Sequence, residues 1–265
     1  MNRLQDQLRE VCSLLLPVSL WNGFSGKGRG VLIRIEVCTA TVEDSVNACR
    51  AGASRIELNS ALEAGGLSPS QGLLEEVRDA VDVPLMVMAR PVSGGFAYSN
   101  PVKKAILRDM YLFLQKGADG LVFGALTEDG TLDMPFIRQI RKEFSDTVLV
   151  FSRAFDCLTG SLTEHASILA ENGIDRILTS GGKPTAEEGL KVIRDLTGRG
   201  IDILPGSGIS SLNIWRVAEE TKCRWVHGSF KGVSAPVAAG HIIPPSFPSV
   251  DEHEIRKALL LTEGM

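Results

Sequence analysis

The sequence predicts a single α/β domain of the (β/α)8, or TIM-barrel, class. Three observations predict it: a repeated helix-to-strand junction, eight evenly spaced strand starts, and one uniform composition over most of the 265 residues. The junction is a glycine followed within a few residues by a short apolar strand, as in Gly52-Ala-Ser-Arg-Ile, Gly117-Ala-Asp-Gly-Leu, Gly173-Ile-Asp-Arg-Ile and Gly200-Ile-Asp-Ile-Leu. Glycine suits the left-handed residue that closes a helix, so each instance marks an α-to-β step. Strands read from near residues 31, 54, 84, 119, 147, 174, 201 and 224, which is the spacing of βα units.

Helix starts agree with that count. Ser68-Pro69 and Asn100-Pro101 put a capping side chain before a proline, and Ser161 with Glu164, Thr185 with Glu188 and Ser249 with Glu252 have the spacing of capping boxes. The last helix is expected over about 250–262. Strict alternation favours a closed barrel over its alternative, a doubly wound open sheet. Residues 1–30 lie outside the repeat and end in Gly23, Gly26, Gly28 and Gly30, so they read as a flexible N-terminal extension before a barrel domain over 31–265. The segments 53–60 and 174–180 resemble each other four units apart, as a duplicated half-barrel would produce.

Composition narrows function by exclusion. A net charge of −4 offers no basic face for nucleic acid or an anionic membrane. No apolar run reaches the roughly 20 residues that span a bilayer, and Val11 to Trp21 lacks the flanks of a signal peptide. A soluble, cytoplasmic protein is expected. The five cysteines include no Cys-x-x-Cys pair, which argues against a disulfide framework or a structural zinc site.

In such a barrel the site lies at the C-terminal ends of the strands, with alternate residues pointing inward. If Ile33, Ile35 and Val37 face the helices, then Arg34, Glu36 and Cys38 face in. The same parity turns Arg55, Glu57 and Asn59 inward on the second strand, Met86, Met88 and Arg90 on the third, and Arg176, Leu178 and Ser180 on the sixth. Arg153, Asp156 and His227 join them from the fifth and eighth. Buried charges need partners, and the expected network pairs Glu36 and Glu57 with Arg90 and Arg153. Two readings stay open: an ion-pair network that holds the barrel together, or one that also binds or transforms a small ligand. In the second, a glutamate moves a proton and the arginines hold an anion. Gly206-Ser-Gly208 and Gly228-Ser229, with Ser180 nearby, are candidates for an anion held by backbone N–H groups. His241 falls in a long loop on the site face, while His165 and His253 read as surface residues.

Ile35-Glu-Val-Cys38, Arg55-Ile-Glu-Leu58, Gly65-Gly-Leu-Ser-Pro-Ser70, Arg90-Pro91 with Gly94-Gly95-Phe96, Gly120-Leu-Val-Phe-Gly-Ala-Leu-Thr-Glu-Asp-Gly130, Arg153-Ala-Phe-Asp156 and Leu178-Thr-Ser-Gly181 occur in order. Over roughly residues 31–231 the chain resembles the CutC family of copper homeostasis proteins. The resemblance implies a TIM barrel, a cytoplasmic homo-oligomer, and copper as Cu(I), with Cys38 the likeness's soft ligand and inward Met86 or Met88 as possible helpers. The chain departs from the family pattern at Asn59, where a cysteine is usual, at Ser152 in place of histidine, at Val92 and Gly95, and at Ser207. The expected partners are therefore a copper ion or a small anionic metabolite.

Overall fold

A computed structural model describes residues 33–232 and 249–262. The expected N-terminal extension, Cys12 and His241 lie outside those residues. Strands β1 (Arg34–Thr39), β2 (Arg55–Leu58), β3 (Leu85–Met88), β4 (Gly120–Phe123), β5 (Val148–Phe151), β6 (Arg176–Thr179), β7 (Asp202–Pro205) and β8 (Trp225–Gly228) start within three residues of the expected positions. Helices α1 (Val42–Ala51), α2 (Gln71–Ala80), α3 (Asn100–Gln115), α4 (Met134–Glu143), α5 (Leu162–Glu171), α6 (Leu190–Leu196), α7 (Ile214–Thr221) and α8 (Glu252–Thr262) follow them in turn.

All strand pairs are parallel, in the order β7-β6-β5-β4-β3-β2-β1-β8. One bridge, Gly206 to His227, joins β7 to β8 and makes the barrel nearly closed. The thin seam has a local cause. Alternate residues of a strand face alternate neighbours, and the Gly206 N–H donates to Thr179 of β6. Pro205 is therefore turned toward β8 with no N–H to give.

Side-chain parity follows the expectation. Ile35, Val37, Ile56, Leu58, Val87, Leu121, Phe151 and Ile177 point outward into the main core beneath the helices. Met86, Met88, Val122, Val150, Leu178 and Leu204 form a separate cluster inside the barrel. Gly120 is required beside them: a Cβ there would lie 2.7 Å from the Met86 sulfur. Gly52, Gly117, Gly173 and Gly200 all have positive φ, as the junctions require.

Four helix starts are corrected. Asn100 does not cap α3 but is its first residue, with Ser99 at the cap position and no side-chain bond there. Ser70, not Ser68, caps α2, accepting from the Leu73 N–H at 3.1 Å, because Ser68 instead accepts the Arg90 N–H. Asp251, not Ser249, caps α8 through the His253 N–H at 2.8 Å; the Ser249 carbonyl accepts from the Gly232 N–H. Thr185 does accept from the Glu188 N–H, but α6 begins at Leu190, after Gly189 has passed under the Ser180 carbonyl. Ser161 caps α5 as expected.

Candidate metal centre at the barrel mouth

Register assembles the site. Parallel pairing sets Glu36 level with Arg55 on one side and His227 on the other, and sets Cys38 level with Glu57. Because all five side chains face inward, they share one sector of the interior. Glu36 is fully enclosed: one carboxylate oxygen takes the Arg55 guanidinium, and the other lies 2.8 Å from His227 Nδ1. His227 Nε2 then faces Glu57 at 3.7 Å. Asn59 Nδ2 donates to the Glu57 carboxylate at 2.8 Å. Cys38 Sγ, a Glu57 carboxylate oxygen and a His227 ring nitrogen all lie within 4.8 Å of one another.

The electrostatics follow from burial and contact. Burial by itself would raise the Glu36 carboxyl, but the Arg55 guanidinium and the His227 hydrogen bond outweigh it and hold it down to about 2. Glu57 is pushed up, first by burial and then by the negative charge of Glu36, against the pull of His227 and Asn59. Burial acts to lower His227, yet Glu57, Cys38 and Glu36 around it raise it well above the ordinary histidine range. Glu36 thus holds the Nδ1 proton and aims Nε2 at Glu57 and Cys38, the arrangement by which an outer carboxylate orients a ligating imidazole.

The expected pairing of acids with Arg90 and Arg153 is not what forms. Arg90 gives Nη1 to the Ala64 and Gly66 carbonyls, both at 3.0 Å, and Nη2 to the Gly94 carbonyl at 2.6 Å, while stacking on Phe96. It is a strut between the loops after β2 and β3, because the carbonyls of both loops take its guanidinium N–H groups. Arg153 sits in a 3-10 turn (Arg153–Cys157) after β5, where Nε bonds Asp156 at 2.9 Å and Nη2 bonds the Ser180 hydroxyl at 2.8 Å.

Two of the N–H groups expected to hold an anion, those of Ser180 and Gly206, are taken within the chain. The Asp156 carboxylate occupies the N–H nest after β6, accepting from Ser180 N at 3.0 Å, Gly182 N at 2.9 Å and the Thr179 hydroxyl. The Gly206 N–H goes to Thr179 and the Gly208 carbonyl to Asn213. The Ser211 N–H, at the approach to α7, is taken by Glu254 at 2.7 Å. Gly228 is held against the Phe230 ring, and Ser229 beyond it is half-buried.

Two contributors were legible only in part. Arg55 and Asn59 read as inward from parity, but register decides that Arg55 is the partner of Glu36 and that Asn59 bridges to Glu57. Glu57 Oε1 and Asn59 Oδ1 are left as buried acceptors with no donor.

A family model described as CutC family matches residues 33–232. A CutC family protein of Treponema denticola is 42% identical over 198 residues, covering 74% of this chain and 80% of that one. The copper homeostasis protein cutC homologs of Mus musculus and Homo sapiens are each 40% identical, covering 78% of this chain and 76% of theirs. The crystal structure of CutC from Streptococcus agalactiae superposes with a TM-score of 0.70 at 28% identity, over 74% of this chain and 98% of that one. Phosphoribosyl anthranilate isomerase of Thermotoga maritima, at 13% identity and a TM-score of 0.58, shares the fold.

Proposed function

The chain belongs to the CutC family, and from that premise we propose that it is a copper-handling protein that carries the ion at the barrel mouth between Cys38, His227 and Glu57. The observation that carries the reading is the convergence of those three donor atoms within 4.8 Å. Bonds of about 2.0–2.3 Å to sulfur, nitrogen and oxygen bring the ligands of one ion to within roughly 4.5 Å of each other, so small rotations let the three share it. The donor set suits the cargo: thiolate and imidazole are ligands that copper accepts in its reduced state, and the carboxylate supplies charge. A cation there also answers the orphaned Glu57 Oε1. Cys38 is partly buried and reachable, whereas Cys49 and Cys223 are enclosed.

Titration of the reduced chain with Cu(I) against a competing chelator tests this. One ion per chain is expected, with affinity falling at least tenfold in Cys38→Ser and in His227→Ala but not in Cys157→Ser. Absence of binding, or binding indifferent to Cys38, would overturn it. The same reading carries a cytoplasmic setting, supported by the lack of any helix long and apolar enough to cross a membrane among the described residues. It also carries self-association, supported by exposed Leu212 and Leu260. Sedimentation velocity tests the latter.

A second reading, catalysis on a small anionic or phosphorylated metabolite, has one observation in its favour. The Arg153 side chain stays 41% exposed at the mouth despite its bonds to Asp156 and Ser180. A metabolite thermal-shift screen checks it: a stabiliser whose effect disappears in Arg153→Ala supports it, and none stands against it.

A further inference from the structure

The N-terminal half of the barrel interior gathers positive charge. Arg34 of β1, Arg55 of β2 and Arg176 of β6 surround the indole of Trp225 on β8, with guanidinium carbons 5.5, 4.0 and 5.9 Å from the ring centroid. Register brings them together, pairing Arg34 with Trp225 and Glu36 with Arg55, while Arg176 reaches across from the opposite wall. Three carboxylates bear on Arg55 and Arg176: Glu36, Asp202 and Asp175, the last also bonded to Arg141. Glu36 holds Arg55 but also serves His227. Asp202 lies 3.7 Å from Arg176 and is 74% exposed, so its charge is screened by solvent.

Three guanidinium nitrogens here, Arg55 Nη2, Arg176 Nε and Arg176 Nη1, are buried with no acceptor among the described residues. The Arg55 residue is 5% exposed. A buried guanidinium N–H left without an acceptor is strongly unfavourable. Planar guanidinium forks match the oxygens of a tetrahedral anion, and their weak hydration suits them to do so out of water.

We propose that this end of the barrel binds a small tetrahedral oxyanion, of the phosphate or sulfate class, on the free N–H groups of Arg55 and Arg176 beside Trp225. Burial and the adjacent Arg55 charge together hold Arg176 below the ordinary arginine range, and an anion between the two relieves both. Trp225 is half-buried and Asp202 exposed, so among the described residues the rim of this cluster borders solvent. The site lies at the N-terminal ends of the strands, below Cys38, and adjoins the donor trio through Glu36, which holds both Arg55 and His227; it does not depend on the copper reading.

Trp225 reports on its own neighbourhood once the other two tryptophans are replaced. The full chain carrying Trp21→Phe and Trp215→Phe, free of metal and held at constant ionic strength with chloride, is titrated with inorganic phosphate, sulfate and glycerol phosphate. A saturable change in emission is expected with phosphate or sulfate, weakened at least tenfold by Arg176→Gln and unchanged by Arg216→Gln on the surface. A response to glycerol phosphate as well identifies a phosphoryl group as the recognised unit; a response to the inorganic ions alone identifies the free ion. No saturable change, or one equally present in Arg176→Gln or lost in Arg216→Gln, overturns the proposal. Should Arg176→Gln fail to fold by circular dichroism, Arg176→Lys keeps the charge without the fork and is expected to show the same weakening. The unaltered chain should also melt higher in phosphate than in chloride of equal ionic strength. Loss of this response with copper binding intact, or the reverse, separates the two sites.

Discussion

Glu36 is the residue on which most of the interior turns, because it bonds both Arg55 and His227 with no access to solvent. Its carboxyl is held down to about 2 in the folded chain against 4.5 when free. A depressed carboxylate contributes stability that is present above its unfolded value and is lost as pH falls through the folded one. The metal-free protein should therefore lose on the order of 3 kcal/mol between about pH 5 and pH 2 from this group, read by urea unfolding across that range. Glu36→Gln should flatten that dependence while lowering stability near neutral pH by about 3–5 kcal/mol, since it strands a buried guanidinium. His227 works in the opposite sense. Its raised value means that its contribution is complete below about 6.5 and fades as pH climbs through the folded value. Thiol chemistry offers a separate check. Burial pushes the Cys223 thiol up to about 11, whereas Cys157 is exposed. Alkylation followed by peptide mapping should label Cys157 first and Cys223 last, and copper should slow labelling at Cys38 alone.

At the scale of elements, glycines divide by what their hydrogen faces. Gly189 precedes α6 at a point where a Cβ would lie 1.9 Å from the Ser180 carbonyl oxygen, backbone against backbone. Gly189→Ala should cost about 3 kcal/mol or more and displace the loop that carries Ser180. Gly72 of α2 has nothing within 4 Å of the same position. Gly72→Ala should stabilise by about 0.5–1 kcal/mol through helix propensity. Chemical denaturation of the two variants is expected to give stability changes of opposite sign. Of the four non-glycine residues at positive φ among the described residues, Lys222 closes α7, while Ala61, Ser207 and Phe230 fall in loops after β2, β7 and β8. Backbone strain thus collects on the C-terminal face, where sites of this fold are built.

For the whole molecule, the barrel's weak point is its last closure. Four paired residues join β1 to β2 and β6 to β7, but a single bridge joins β7 to β8. Sub-global opening should begin there, so native-state hydrogen exchange is expected to be faster along the β7–β8 seam than between β1 and β2. Metal binding bears on the same seam, because His227 sits both at the bridge and among the donors. Copper should accordingly slow exchange at the seam more than elsewhere, and a uniform slowing would argue against the ligand role of His227.

Periodicity and junction chemistry are local properties, so the eight βα units, the inward parity of Glu36, Cys38, Glu57 and His227, and the glycine closures of the helices were all written in the sequence. They depend on residues within one turn or one strand of each other. The partners of the charges were not. Which carboxylate meets which guanidinium depends on strand register around a closed barrel, and that placed Glu36 between Arg55 and His227 rather than beside Arg90 or Arg153. The loops were equally undetermined. Asp156 fills the N–H nest after β6 because a turn folds back from β5, a contact between residues more than twenty apart. The sequence alone therefore determined the fold and the pool of inward polar residues, since both follow from local pattern. Only the tertiary structure sorted that pool into a donor trio and an arginine cluster below it, since both depend on distances across the barrel.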